Sequence, residues 1–205
     1  MKNIIIVIIA SFSICSCKEV KRESKIEEKV KSEVIDLKDP SYCNDIENTI
    51  GILFVNNENF NKNDELKILN KDMSTFKAWR AKEEYEILSF RCFGAKDSIY
   101  SIFIDDETKY ILKDDRLVIL QSWEEHLLNS IFSIGLDLEE NPIRESIEGN
   151  PILSEKSNNY KISPVEIKGE WMKVKYQNFN TEKTTEGWIK WRNEKCLFVE
   201  IFYFA

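Results

Sequence analysis

Between residues 41 and 128, apolar and polar positions alternate in short runs, the period of strands with one buried face. Seven runs predict strands, at 50–56, 65–70, 75–81, 84–93, 99–105, 109–113 and 116–120. Polar, turn-forming stretches such as 56–59, 70–72, 94–97, 105–107 and 114–115 separate them, the spacing of an all-β meander or small barrel. At Ser122 the period lengthens. Ser122 and Glu125 have the spacing of a capping box, and Trp123, Leu127 and Ile131 fall on one face, so a short helix is expected there. Alternation returns at Phe132, Ile134, Leu136 and Leu138 and a loop is expected at 141–145. Further strands are expected around 164–167, 171–176, 187–192 and 196–203. The fold class is therefore mainly β, with one short helix between a β-rich middle unit (41–128) and a second β-rich unit (129–205). Residues 100–104, 109–113 and 117–120 echo the three C-terminal runs. Either the middle unit is a second small barrel, or the two units share only β alternation.

The first 40 residues break this pattern. Residues 1–17 read MKNIIIVIIASFSICSC, a basic Lys2 followed by an apolar run over 4–14 interrupted only by Ser11 and Ser13. A helix needs roughly 20 apolar residues to cross a bilayer, so this run fits the core of a signal peptide and not a spanning segment. Residues 18–40 hold seven basic and seven acidic residues and read as a charged tether.

Charge and composition narrow the chemistry. The formal charge is −7 and the pI about 5.0, which disfavours nucleic acid as a partner. Most of the acid sits in the middle unit, with 17 acidic against 11 basic residues. Six glycines disfavour Gly-rich phosphate loops, and one histidine, His126, is too few for imidazole-based metal sites or most acid–base pairs. No motif points to a metal, a cofactor or an enzyme. His126 reads as a surface or packing residue on the helix, and the acidic stretches at 105–107 and 114–115 read as solvated turns, since no Gly-containing calcium loop surrounds them.

Two resemblances add to this. Ile14-Cys15-Ser16-Cys17 resembles the lipobox of bacterial lipoproteins. It implies cleavage of residues 1–16, a diacylglycerol on Cys17 and anchorage to a membrane of the cell envelope, with the outer membrane of a Gram-negative bacterium favoured. Lys2 is the one charged residue removed, so the mature chain would carry −8. Asn141-Pro142-Ile143-Arg144, Gly169-Glu170-Trp171-Met172-Lys173-Val174 and Gly187-Trp188-Ile189 together resemble the bacterial SH3-like family. That likeness implies an SH3-like β-barrel over 129–205. The chain departs from the family in a long insertion at 177–186 and in a long apolar final strand.

Strand parity then sorts the side chains. Met172, Val174 and Tyr176 point one way and Trp171, Lys173 and Lys175 the other; Ile189 and Trp191 oppose Trp188 and Lys190. With Val174 and Ile189 in the core, Trp171, Lys173, Trp188 and Lys190 form a candidate ligand-binding face of rings beside lysines. The competing reading packs both rings as covers. Trp191 and Phe198 are expected in the core. Outside the cytoplasm disulfides are allowed, and Cys43 with Cys92 is the pair to test first, against buried free thiols. The expectation is a non-catalytic envelope lipoprotein whose SH3-like domain binds peptidoglycan peptides or an envelope protein. The alternative is an inhibitor or immunity-type lipoprotein that blocks a secreted enzyme through its acidic middle unit.

Overall fold

The computed structural model describes residues 39–55, 59, 61, 63–80, 88–105, 107–155 and 159–204. The expected signal peptide, Cys17 and nearly all of the tether lie outside the described residues. The described residues belong to one compact unit.

A two-residue strand, β1 (Asn44–Asp45), precedes β2 (Gly51–Val55), β3 (Glu65–Leu69), β4 (Thr75–Arg80), β5 (Ser89–Lys96), β6 (Ile99–Ile104), β7 (Glu107–Leu112) and β8 (Val118–Gln121). β2 to β8 form an antiparallel sheet in the order β4-β3-β7-β6-β5-β2-β8. The helix α1 (Trp123–Asn129) follows, with Ser122 Oγ accepting from the Glu125 amide at 3.1 Å and Glu125 reaching back to the Ser122 amide at 2.9 Å. The expected capping box is thus present, and it starts the helix where four amides would otherwise lack partners.

Eight strands come after it: β9 (Ser133–Gly135), β10 (Ile143–Arg144), β11 (Pro151–Leu153), β12 (Tyr160–Lys168), β13 (Trp171–Asn178), β14 (Thr184–Lys190), β15 (Cys196–Leu197) and β16 (Glu200–Phe202). All but β15 form a second sheet in the order β11-β10-β14-β13-β12-β9-β16, while β15 pairs with β1. β10 lies inside the segment expected as a loop. The expected insertion at 177–186 is half ladder and half turn, since Gln177 still faces Thr184 across the hairpin.

Neither sheet closes among the described residues, so the expected closed barrels are not seen. In the second unit the final apolar run is interrupted at Phe198 and Val199, 2% and 0% exposed. Both lie between strands, after β15 and before β16. The single final strand expected at 196–203 becomes two. β15 turns to β1, and β16 extends the sheet beyond β9.

Each sheet buries one side chain set. Leu53, Val55, Leu66, Ile68, Cys92, Ile102 and Ile111 form the core of the first sheet. Met172, Val174, Ile189, Trp191, Leu197 and Val199 form a second core with Trp123 and Leu127 of α1. Ile52 and Phe54 belong to that second core although they alternate with Leu53 and Val55 on β2. β2 is therefore buried on both faces, which is why it reads as the unbroken apolar run Gly-Ile-Leu-Phe-Val.

Candidate functional site

The second sheet brings together the four residues singled out by parity. On the β13–β14 ladder Trp171 faces Lys190 and Lys173 faces Trp188, one alternating square on the outer surface. Met172, Val174 and Ile189 behind it are 0% exposed. Burying each contributes about 1.5–3 kcal/mol, enough to hold the register against a one-residue slip that would exchange the faces. Both rings are half-buried.

Neither lysine is a free cation. Lys190 Nζ lies 2.6 Å from Asp39 and 3.3 Å from Glu170, and Lys173 Nζ 2.6 Å from Glu186. Burial pulls the Lys190 ammonium down, but its hydrogen bonds to Asp39 and Glu170 outweigh this and leave it raised. Asp39 is lowered in turn by its hydrogen bond from Lys190, and Lys173 and Glu186 move apart through their own bond. Lys168 Nζ stands 5.0 Å above the Trp188 ring. The face thus offers aromatic surface beside locally balanced charge, so ring contact rather than net attraction would carry recognition there.

The motif residues have visible structural tasks. Asn141 imitates a strand neighbour: its side-chain amide donates to the Lys190 carbonyl at 2.7 Å and its carbonyl oxygen accepts from the Lys190 amide at 3.3 Å. Arg144, buried at 9% exposure, donates to the Gly149 carbonyl at 2.9 Å and faces Trp188 across β10 and β14. Gly169 opens the two-residue turn of the β12–β13 hairpin at φ 59°, where a side chain would be strained. Its carbonyl accepts from the Trp191 indole at 2.9 Å. Trp191 and Phe198 are buried, at 0% and 2% exposed.

The cysteines correct one expectation. Cys43 is joined to Cys196, with Cα atoms 5.0 Å apart, and Cys92 is a free, buried thiol. Cys92 cannot reach Cys43 because it points into the first sheet's core on β5, where burial raises its pKa. Cys43 precedes β1, and the β1–β15 pairing carries it to Cys196.

Sequence reasoning missed a cleft of about 570 Å³ where the sheets meet. Ser89, Phe90 and Arg91 of β5 and Phe103 of β6 form one wall, and residues 200–203 the other. A second cleft of about 510 Å³ adjoins it, and Tyr42, Glu200 and Phe202 line both. From the lining of the first cleft a half-buried polar chain leads inward to the buried His126. Ser89 Oγ is 3.0 Å from the Tyr203 hydroxyl, which is 2.8 Å from His126 Nε2, while His126 Nδ1 is 2.8 Å from Gln121 Oε1. An amide oxygen can only accept, so Nδ1 carries the proton, Nε2 accepts from Tyr203, and Ser89 donates to Tyr203. Burial lowers the His126 pKa to about 4, so the imidazole is neutral at pH 7 and a weak base. The Ser89 proton meets a phenol oxygen and not a base, so this arrangement fixes the C-terminal residues rather than activating a nucleophile. The helical spacing of Trp123, His126 and Leu127 was the sequence signal that His126 faces inward.

Compared with known proteins, the chain matches no family model, no curated protein and no solved structure.

Proposed function

We propose that this chain is a non-catalytic lipoprotein of the cell envelope, anchored by lipid on Cys17, whose C-terminal unit is of the bacterial SH3-like kind and holds a peptide of the cell wall. The observation that carries this reading is the square of Trp171, Lys173, Trp188 and Lys190 on the outer face of β13 and β14. Half-buried rings held by ladder pairing expose flat apolar surface at little cost in side-chain entropy, and the alternating Lys, Glu and Asp groups beside them suit a ligand bearing both ammonium and carboxylate. Export is supported separately by the Cys43–Cys196 disulfide, since such bonds persist in oxidising compartments.

Sedimentation with isolated wall sacculi tests the binding. The whole chain, extracted in detergent, should pellet with sacculi, and Trp188→Ala should weaken this at least tenfold, about 1.4 kcal/mol, while keeping its unfolding midpoint within reach of wild type. Protein left in the supernatant, or a Trp188→Ala variant that pellets as well as wild type, would overturn the assignment. Anchorage is read by radiolabelled palmitate, which should enter the wild type and not Cys17→Ser.

A further inference from the structure

The edge strand β16 carries a second, separate inference. β16 ends its sheet, with β9 its one strand partner among the described residues. Open sheet edges pair with other chains unless guarded by charge, proline or a cover. Two of the other edges of the large sheets carry such guards: β4 has Lys77 and Arg80, and β11 begins with Pro151. Residues 199–204, Val-Glu-Ile-Phe-Tyr-Phe, hold no lysine and no proline.

The surroundings of β16 suit an added strand. Glu200 and Phe202 are exposed on one face, while Ile201 is half-buried on the other. The two clefts share Glu200 and Phe202 of this strand, so side chains of a chain laid beside it would find space against these residues. Glu200 makes no ion pair among the described residues, and together with burial its charge raises the Tyr42 pKa. The cation lining the first cleft, Arg91, donates to the Asp45 carbonyl at 2.5 Å. The chain as a whole carries −7.

We propose that β16 is a docking edge for an extended segment of a basic protein, which adds to the second sheet as a strand, placing a lysine or arginine against Glu200 and an apolar side chain against Phe202, Tyr42 and Phe103. A second copy of this chain fits less well, because two chains of −7 would meet.

The probe is a fluorescent nine-residue peptide alternating lysine and valine, with a glutamate–valine peptide as its counterpart, each titrated into the whole chain in detergent. The lysine peptide should bind and slow amide exchange over residues 199–204 at least tenfold, a protection that side-chain contact alone does not give. Glu200→Lys should weaken the lysine peptide at least tenfold and bind the glutamate peptide instead, which shows that the variant is folded. Trp188→Ala should leave both affinities unchanged, separating this edge from the ring face. Equal binding of the lysine peptide to wild type and Glu200→Lys, or unchanged exchange at 199–204, would overturn the proposal. So would concentration-dependent dimers of the chain alone that protect the same amides.

Discussion

Replacing Cys43 and Cys196 together by alanine removes a crosslink that spans 153 residues. In the chain-entropy description, closing a loop of that length lowers the entropy of the unfolded chain by about 17 cal/mol/K, equivalent to about 5 kcal/mol at 25 °C. Native contacts already close the same loop without the bond. Asn44 and Asp45 pair with Leu197 and Cys196, the Ile46 amide donates to the Lys195 carbonyl at 2.7 Å, and Glu47 meets Lys195 at 3.2 Å. These contacts remain in the double variant, so its folded state should change little, and the loss should come mainly from a freer unfolded chain. Allowing for residual structure in that chain, the expected loss is about 3–5 kcal/mol, or a fall in Tm on the order of 10 °C.

Urea unfolding followed by tryptophan fluorescence measures this, with Cys92→Ala as a control that leaves the crosslink intact. The double variant should also show a larger dependence on urea, because its unfolded chain expands further. Wild type in reductant should shift towards the double variant. A loss below about 1 kcal/mol with unchanged urea dependence would refute the reasoning, as would alkylation of Cys43 in the folded, unreduced chain.

Two further outcomes follow from buried positions. His126 has a folded pKa of about 4 against 6.5 ordinarily, so between those values the unfolded chain takes up a proton that the folded chain refuses. Stability is then full above pH 6.5 and falls by about 3 kcal/mol as pH drops to 4; urea midpoints across this window should slope more steeply for wild type than for His126→Asn. Asp64, held at about 2 by its hydrogen bonds from Arg116 and the Asn61 amide, loses its contribution only below about pH 4, so the two windows separate. A Cβ at Gly187 would collide with the Ile143 side chain and the Arg144 carbonyl. Gly187→Ala should therefore cost about 1–3 kcal/mol in the same urea assay, and a neutral result would show that β10 moves aside freely.

What could be read in the sequence depended on whether the cause was local. Alternation placed β3, β4 and β6 within a residue or so, and the Ser122 and Glu125 spacing placed α1, because neighbours along the chain decide both. Parity placed Trp171 and Trp188 on one face for the same reason. The Cys43–Cys196 bond was not readable, since it rests on a two-residue strand pairing across almost the whole chain. The break at Phe198 and Val199 was hidden because an apolar run reads alike whether it buries alternate residues or consecutive ones. The clefts were invisible for a further reason: Tyr42, Ser89 and Glu200 come from three distant stretches that meet only where the sheets do.

The last nine described residues explain why the halves of this chain behave as one body. Cys196 and Leu197 bind the segment before β2, and Leu197 and Val199 join the core formed by Met172 and Val174 of β13 and Ile189 of β14. Tyr203 then bonds Ser89 of the first sheet and His126 of α1. β2 completes the link, lending Ile52 and Phe54 to one core and Leu53 and Val55 to the other. Loosening either end would therefore leave polar groups without partners in the other sheet, at a cost of about 1–3 kcal/mol for each buried group. The cleft walls come from both sheets, so the spacing across them is set by this shared packing. That is why a docking edge at β16 can be open to a partner and still be held in a fixed place.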